Sequence, residues 1–234
     1  MVKSTKFHPE IFFNYLGEEN SAIFLAFTNL YLEEQLNDGV VWLQTDENDH
    51  ITGVMATDEN GKCLLFAEEN ADFDELSFIL NKEITSPDIL PFQQIDKKYL
   101  LMKKLDFAKG EKGISYKDYA KIKTLDNSPF AQNADLVAVK MFFNLKGKCE
   151  GMLITENGEN ISGGFISFSH NFAVITDVFT KEAHRGKGYG KALVEKLLNC
   201  STKEKVYLTS KEHNLDFYKK LGFTVVKEIY KYKK

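Results

Sequence analysis

The feature that most restricts this chain is the run Arg185-Gly186-Lys187-Gly188-Tyr189-Gly190, set between a β pattern and a helical one. Phe172 to Thr180 is rich in β-branched and aromatic residues and predicts a strand. From Gly190 onward, Leu193, Val194, Leu197 and Leu198 recur at the spacing of a single helix face. A glycine-rich loop that enters a helix offers unpaired backbone N–H groups at the positive end of the helix dipole, and glycine lets an anion approach the main chain closely. Strand, loop and helix in this order predict an α/β chain with a mixed sheet and a phosphate seat.

Register excludes two familiar phosphate loops. A dinucleotide fingerprint needs Gly or Ala at its sixth position, which is Lys191 counting from Gly186 and Leu193 counting from Gly188. A Walker loop needs Gly where Arg185 stands, and Ser or Thr where Ala192 follows Lys191.

The 234 residues are 43% hydrophobic and 27% charged, enough for one large domain or for two of about 100 to 120 residues. The longest apolar candidate, Ala22 to Leu32, is broken by Thr28 and Asn29 and falls short of the roughly 18 residues a membrane span needs. The N-terminus lacks a signal peptide's apolar segment, so a cytoplasmic location is expected, with no membrane partner. Cys63, Cys149 and Cys200 are widely spaced with no histidine cluster beside them, which argues against a disulfide framework and against a bound metal.

Charge divides the chain. Residues 1–105 carry 8 Lys against 19 acidic residues, a balance of −11, whereas residues 106–234 carry 22 basic and 15 acidic residues, a balance of +7. The second half suits an anionic ligand. A pI near 5.8 does not suggest nucleic acid as a partner.

At an offset of 110, Trp42 to Ala67 aligns with Met152 to Asp177 without a gap. Identical pairs are Leu43 with Leu153, Thr45 with Thr155, Ile51 with Ile161 and Gly53 with Gly163. Both segments read as strand, polar turn, strand, turn and strand, an antiparallel meander. Helical patterns precede each: Ile23, Phe27, Leu30 and Tyr31 share a face in the first half, and Ser115 to Leu125 and Ala134 to Phe143 are helical in the second. Two tandem copies are expected, residues 1–105 and 106–234, joined near Leu101 to Lys112. In the first copy the offset puts Glu75 where Arg185 stands, within an acidic stretch without glycine, so only the second copy should seat a phosphate.

The run from Arg185 to Gly190 has the form R-x-x-G-x-G and resembles the acyl-CoA pyrophosphate loop of the GNAT acetyltransferase superfamily; Arg185 is the chain's only arginine. Downstream, Lys205 to Ser210 reads as the next strand, and His213 to Phe223 is similar to the family's later helix, ending Tyr218-Lys219-Lys220-Leu221-Gly222-Phe223. The resemblance covers about residues 130–234. The stretch from Phe179 to Tyr189 also looks like the branch that includes glycine N-acyltransferases, in which a degenerate N-terminal copy precedes an active one.

That resemblance implies an N-acetyltransferase using acetyl-CoA or another short acyl-CoA as co-substrate, without metal. The backbone amides of Gly186, Lys187, Gly188, Tyr189, Gly190 and Lys191, with Arg185, would bind the pyrophosphate. Val178, Phe179 and Thr180 would pair with pantetheine through their main chain. Thr180 and Glu182 depart from the family's usual Val and Pro, which main-chain contacts tolerate. Tyr218 matches the tyrosine that protonates the leaving thiolate, or else it is a core aromatic between Leu215 and Leu221. Asn214, four residues earlier, would contact the cofactor from the same helix face. Asp177 either deprotonates the incoming amine or pairs structurally; strand alternation puts it on the face of Phe179, opposite Val178. The acceptor is a small-molecule amine or a protein amine. The competing reading is a CoA-binding regulatory or interaction module without turnover.

Overall fold

A computed structural model describes residues 2–4, 9–28, 40–57, 63–78, 80, 83–125, 128, 131 and 134–234. In chain order the elements are β1 (Val2–Ser4), α1 (Pro9–Thr28), β2 (Val40–Thr45), β3 (Ile51–Thr57), β4 (Cys63–Ala67), α2 (Phe73–Ser77), β5 (Glu83–Ser86), β6 (Gln93–Lys104), α3 (Tyr119–Ile122), α4 (Ala134–Leu145), β7 (Cys149–Glu156), β8 (Glu159–Phe168), β9 (Phe172–Thr180), α5 (Tyr189–Cys200), β10 (Lys205–Ser210), α6 (Leu215–Lys220) and β11 (Thr224–Lys233). None of the described helices is long and apolar enough to cross a membrane.

Contacts divide these elements into two compact units drawn from non-contiguous segments. The first holds Met1–Leu101, Thr209–Tyr218 and Thr224–Lys234; the second holds Met102–Leu208 and Lys219–Phe223. A cut along the chain at 105 therefore differs from the division by contact, because β11 pairs antiparallel with β5, Tyr232 opposite Ile84.

In the first unit the strands run in the order β1-β2-β3-β4-β5-β11-β6. β2, β3 and β4 form the expected meander, and β4 runs parallel to β5 across the short helix α2. Its core is built from Met55, Leu65, Leu76, Ile84 and Tyr232, with Trp42 and Phe73 packed against them. Helix α1 breaks at Gly17, which has φ 68° and ψ 179°. Of the helical face read from sequence, Ile23 is buried and Phe27 half-buried, while Leu30 and Tyr31 lie outside the described residues.

In the second unit the order is β10-β9-β8-β7. β7, β8 and β9 are antiparallel neighbours, and β9 pairs parallel with β10. The helical stretch expected at Ser115 to Leu125 is a 3₁₀ turn, Tyr116–Asp118, followed by the single turn of α3, while α4 covers the expected Ala134 to Phe143. Helix α5 buries Leu193, Val194, Leu197 and Leu198, the four residues its periodicity selects. Two adjacent glycines of β8 show where the helices lie. A Cβ on Gly163 would meet Leu125, and a Cβ on Gly164 would meet Leu197. Successive strand residues point to opposite faces, so α5 covers one face of this sheet and the α3 segment the other.

The two meanders share a detail. The pairing register shifts between Gln44 and Thr45 in β2 and between Ile154 and Thr155 in β7, positions 110 apart.

Candidate functional site

The ladder between β8 and β9 breaks at the centre of the second unit. Gly163 pairs with Phe179 and Phe165 with Thr176, so Asp177 and Val178 together oppose Gly164 alone. This is a β-bulge, one extra residue in β9. Asp177 takes it up with a left-handed backbone, φ 57°. Aspartate is among the few residues that visit this region, at about 1–2 kcal/mol. The parallel ladder with β10 runs from Phe172 to Ile175, whereas β9 continues to Thr180. Val178, Phe179 and Thr180 thus extend past the ladder to β10, half-buried, while β8 holds their other edge. Ser162 secures this end, its hydroxyl donating to the carbonyl of Phe179 at 2.7 Å and lying 2.8 Å from the hydroxyl of Thr180.

The bulge also interrupts strand alternation at Asp177. Thr176 and Asp177 both reach the same group, the ammonium of Lys140 in α4, at 3.0 Å from Thr176 Oγ1 and 3.9 Å from Asp177 Oδ2. In a regular strand the two side chains would face opposite ways. Lys140 is 1% exposed, also donates to Ser167 Oγ at 3.2 Å and lies 5.6 Å from the ring centre of Phe165. Asp177 Oδ2 is buried with no hydrogen-bond donor, so this ion pair is its recorded polar contact. The sequence carried a signal for Lys140. It interrupts the buried stripe of Val137 and Phe143 at three-residue spacing, a place where helices ordinarily put apolar groups.

Beyond β9, a 3₁₀ turn (Glu182–His184) leads into the glycine loop. The Nε of Arg185 donates to the carbonyl of Thr180 at 3.3 Å, tying the loop to the strand end while the side chain stays exposed. Gly186 and Gly188 have φ 76° and 91°, and a Cβ on either would meet no atom within 4 Å. Gly188 is the N-cap of α5 and supplies no side-chain cap; the first helical bond is from Ala192 N to Gly188 O at 3.0 Å. The amides of Gly186, Lys187, Gly188, Tyr189, Gly190 and Lys191 have no recorded acceptor among the described residues. They sit at the N-terminus of a 12-residue helix, beside two glycines with open space at their Cβ positions and with the exposed cations Arg185, Lys187 and Lys191 around them. The arrangement fits a pyrophosphate.

The loop is buttressed by the β7–β8 turn. The Tyr189 hydroxyl donates to Glu156, and this bond raises its pKa. Lys181 Nζ donates to Glu159 at 2.9 Å and holds that carboxylate below its usual range. His184 stacks edge-on against Tyr189, ring centres 5.9 Å apart. Sequence reasoning missed Glu156 and Ser162, because nothing in a strand sequence marks which polar residue faces a loop.

In the first unit the short helix α2 is capped by the chain itself. Asp72 caps α2, accepting from Glu75 N at 3.0 Å, and Glu75 in turn accepts from Gln44 Nε2 at 2.8 Å. A carboxylate capping that helix start disfavours a second anion there.

Tyr218 and Asn214 fall in the segment grouped with the first unit. Tyr218, in α6, is 9% exposed and edge-on to Phe217; burial pushes its hydroxyl up to about 12. The expected single helix is instead a 3₁₀ turn, Glu212–Asn214, followed by α6, so exposed Asn214 precedes the helix that carries Tyr218. Gly222, φ 86°, follows the end of α6, a left-handed position that glycine takes up freely. Among the described residues no group of three or more His, Cys, Asp or Glu is placed to hold a metal ion.

Residues 148–225 match the family model described as an acetyltransferase (GNAT) domain. A GCN5-related N-acetyltransferase from Sphaerobacter thermophilus superposes with a TM-score of 0.61 at 10% identity, over 100% of this chain and 95% of that one. A GNAT-family acetyltransferase from Colwellia psychrerythraea gives 0.55 at 10% identity, covering 100% of both chains. A tandem GNAT protein from the clavulanic acid biosynthesis pathway gives 0.54 at 11% identity, over 92% of this chain and 87% of that one. At these identities the likeness is one of fold. No curated protein matches the sequence.

Proposed function

We propose that this chain, whose residues 148–225 match the acetyltransferase (GNAT) domain model, transfers an acetyl or short acyl group from CoA to a primary amine by direct attack. The observation that carries the reading is the open run of amides from Gly186 to Lys191 at the start of α5, glycine-lined and ringed by cations. Such a run of amides at a helix N-terminus suits a pyrophosphate.

In this reading Arg185 and the loop amides hold the pyrophosphate, and the main chain of Val178, Phe179 and Thr180 offers an edge beyond the β10 ladder to the amides of pantetheine. Asn214 contributes a further polar contact to the co-substrate. The co-substrate supplies an activated thioester. A bulge amide near Asp177 stabilises the oxyanion that develops when the neutral amine attacks. Asp177 accepts the amine's proton, directly or through water, and Tyr218, protonated at neutral pH, returns one to the leaving thiolate. The acceptor is a small-molecule or protein amine, and the tandem arrangement leaves one CoA site per chain, in residues 106–234, with residues 1–105 as the degenerate copy.

The experiment is a thiol-release assay with acetyl-CoA against a panel of amino acids, polyamines, aminoglycosides and lysine peptides. Amine-dependent release at one or more members is expected. Binding of acetyl-CoA without release on any amine would instead support a CoA-binding module.

A further inference from the structure

The bulge that the proposed chemistry needs is held from beneath by a charge whose presence stability alone does not explain. Lys140 lies on the buried stripe of α4 with Val137 and Phe143 and is 1% exposed. A buried ammonium is costly, and an apolar residue of similar size in such a place is often as stable or more so. Its three donor positions are accounted for in one direction. Two bond the hydroxyls of Ser167 and Thr176, at 3.2 and 3.0 Å, and the third faces Asp177 Oδ2 at 3.9 Å, an oxygen without another donor. Ser167 stands on β8; Thr176 and Asp177 are the last regular residue of β9 and the first of the bulge. One cation thus joins the two strands where their register slips and compensates the carboxylate of the residue whose backbone is left-handed.

We propose that Lys140 is a positioning residue for acyl transfer: through Thr176 and Asp177 it fixes the β9 bulge, and with it the aim of the bulge amide toward the thioester carbonyl. This rests on the acyl-CoA reading above. Lys140 itself lies under the sheet and touches no substrate. Its removal leaves the half-buried Asp177 carboxylate, whose Oδ2 is buried, without its counter-ion and lets the left-handed residue relax toward extended backbone. The glycine loop is held by other contacts, Arg185 Nε to the Thr180 carbonyl and the Tyr189 hydroxyl to Glu156.

The test uses the full chain, its Lys140→Met variant and the double variant Lys140→Met/Asp177→Asn, with ¹³C-carbonyl acetyl-CoA as probe. Three quantities are read: thermal midpoint, calorimetric affinity, and the infrared band of the bound thioester carbonyl. Lys140→Met should lower the midpoint by about 3–6 °C, because it leaves a half-buried carboxylate without its counter-ion. The double variant should regain most of that loss. Both variants should bind acetyl-CoA within about threefold of the parent, since no loop contact is removed. The parent should show the carbonyl band displaced to lower wavenumber from that of free acetyl-CoA, and both variants should lose the displacement. A displacement that returns with stability in the double variant, or one that persists in Lys140→Met, overturns the proposal while the acyl-CoA reading stands. Absence of binding by the parent chain overturns both.

Discussion

Gly188→Ala separates the loop's two possible duties, turning the chain and seating an anion. Gly188 has φ 91° and ψ −8°, and a methyl group there would touch nothing within 4 Å, so the whole folded-state cost is backbone. An L-residue in the left-handed region costs about 1–2 kcal/mol, and the stiffer unfolded chain returns about 0.4–1 of that. The net loss of about 1 kcal/mol lowers the thermal midpoint by about 2–4 °C in a chain of this size. If the loop amides hold a pyrophosphate, any relaxation of φ also turns an N–H away from it. A hydrogen bond to a charged group is worth about 1.5–3 kcal/mol, or roughly 10- to 150-fold in Kd. Gly147→Ala is the control, with φ 68° and equally open space at the end of α4. Both variants should lose similar stability in a thermal melt, and only Gly188→Ala should lose acetyl-CoA affinity by calorimetry. Equal affinity in the two would refute the assignment of the phosphate to the loop backbone.

Tyr218→Phe should lower amine-dependent thiol release by about a hundredfold with acetyl-CoA affinity kept, because burial leaves its hydroxyl protonated and able to donate at neutral pH; unchanged release would make it a core aromatic only. Glu150→Ala should cost about 2 kcal/mol in urea unfolding, since the carboxylate accepts from Gly113 N and Asn144 Nδ2, both at 3.1 Å, and from Lys112 Nζ at 3.3 Å, and its loss leaves Gly113 N without that acceptor while Asn144 keeps the Cys149 carbonyl at 2.8 Å. Burial pushes both the Cys200 thiol and the Tyr218 hydroxyl up to about 12. The unfolded chain ionises first, so stability is full below about pH 9 and falls as pH rises toward 12; Cys200→Ala should flatten the first part of that decline in unfolding curves taken from pH 8 to 11.

Several parts of the fold were legible because they follow local periodicity. The apolar face of α5 and the bounds of β9 are as the residue pattern predicts, and the glycine loop announced a helix entry free of side-chain caps. The bulge at Asp177 was not legible. One inserted residue leaves strand composition unchanged and shows only in the partner's register, where Gly164 faces two residues. Lys140 escaped for a related reason: lysine on a helix ordinarily marks a solvated face, and only the sheet beneath α4 makes it a buried counter-ion. The pairing of β11 with β5 is a contact across more than 140 positions, beyond any local pattern.

The account stands most directly on whether the Arg185 to Lys191 loop binds acyl-CoA. Calorimetric titration of acetyl-CoA into the intact protein and into an Arg185→Glu, Gly188→Glu variant decides it, since two carboxylates at the helix start repel a pyrophosphate. Binding near one site per chain, abolished in the variant, is the predicted result. No binding by the intact protein, or equal binding by both proteins, would contradict it.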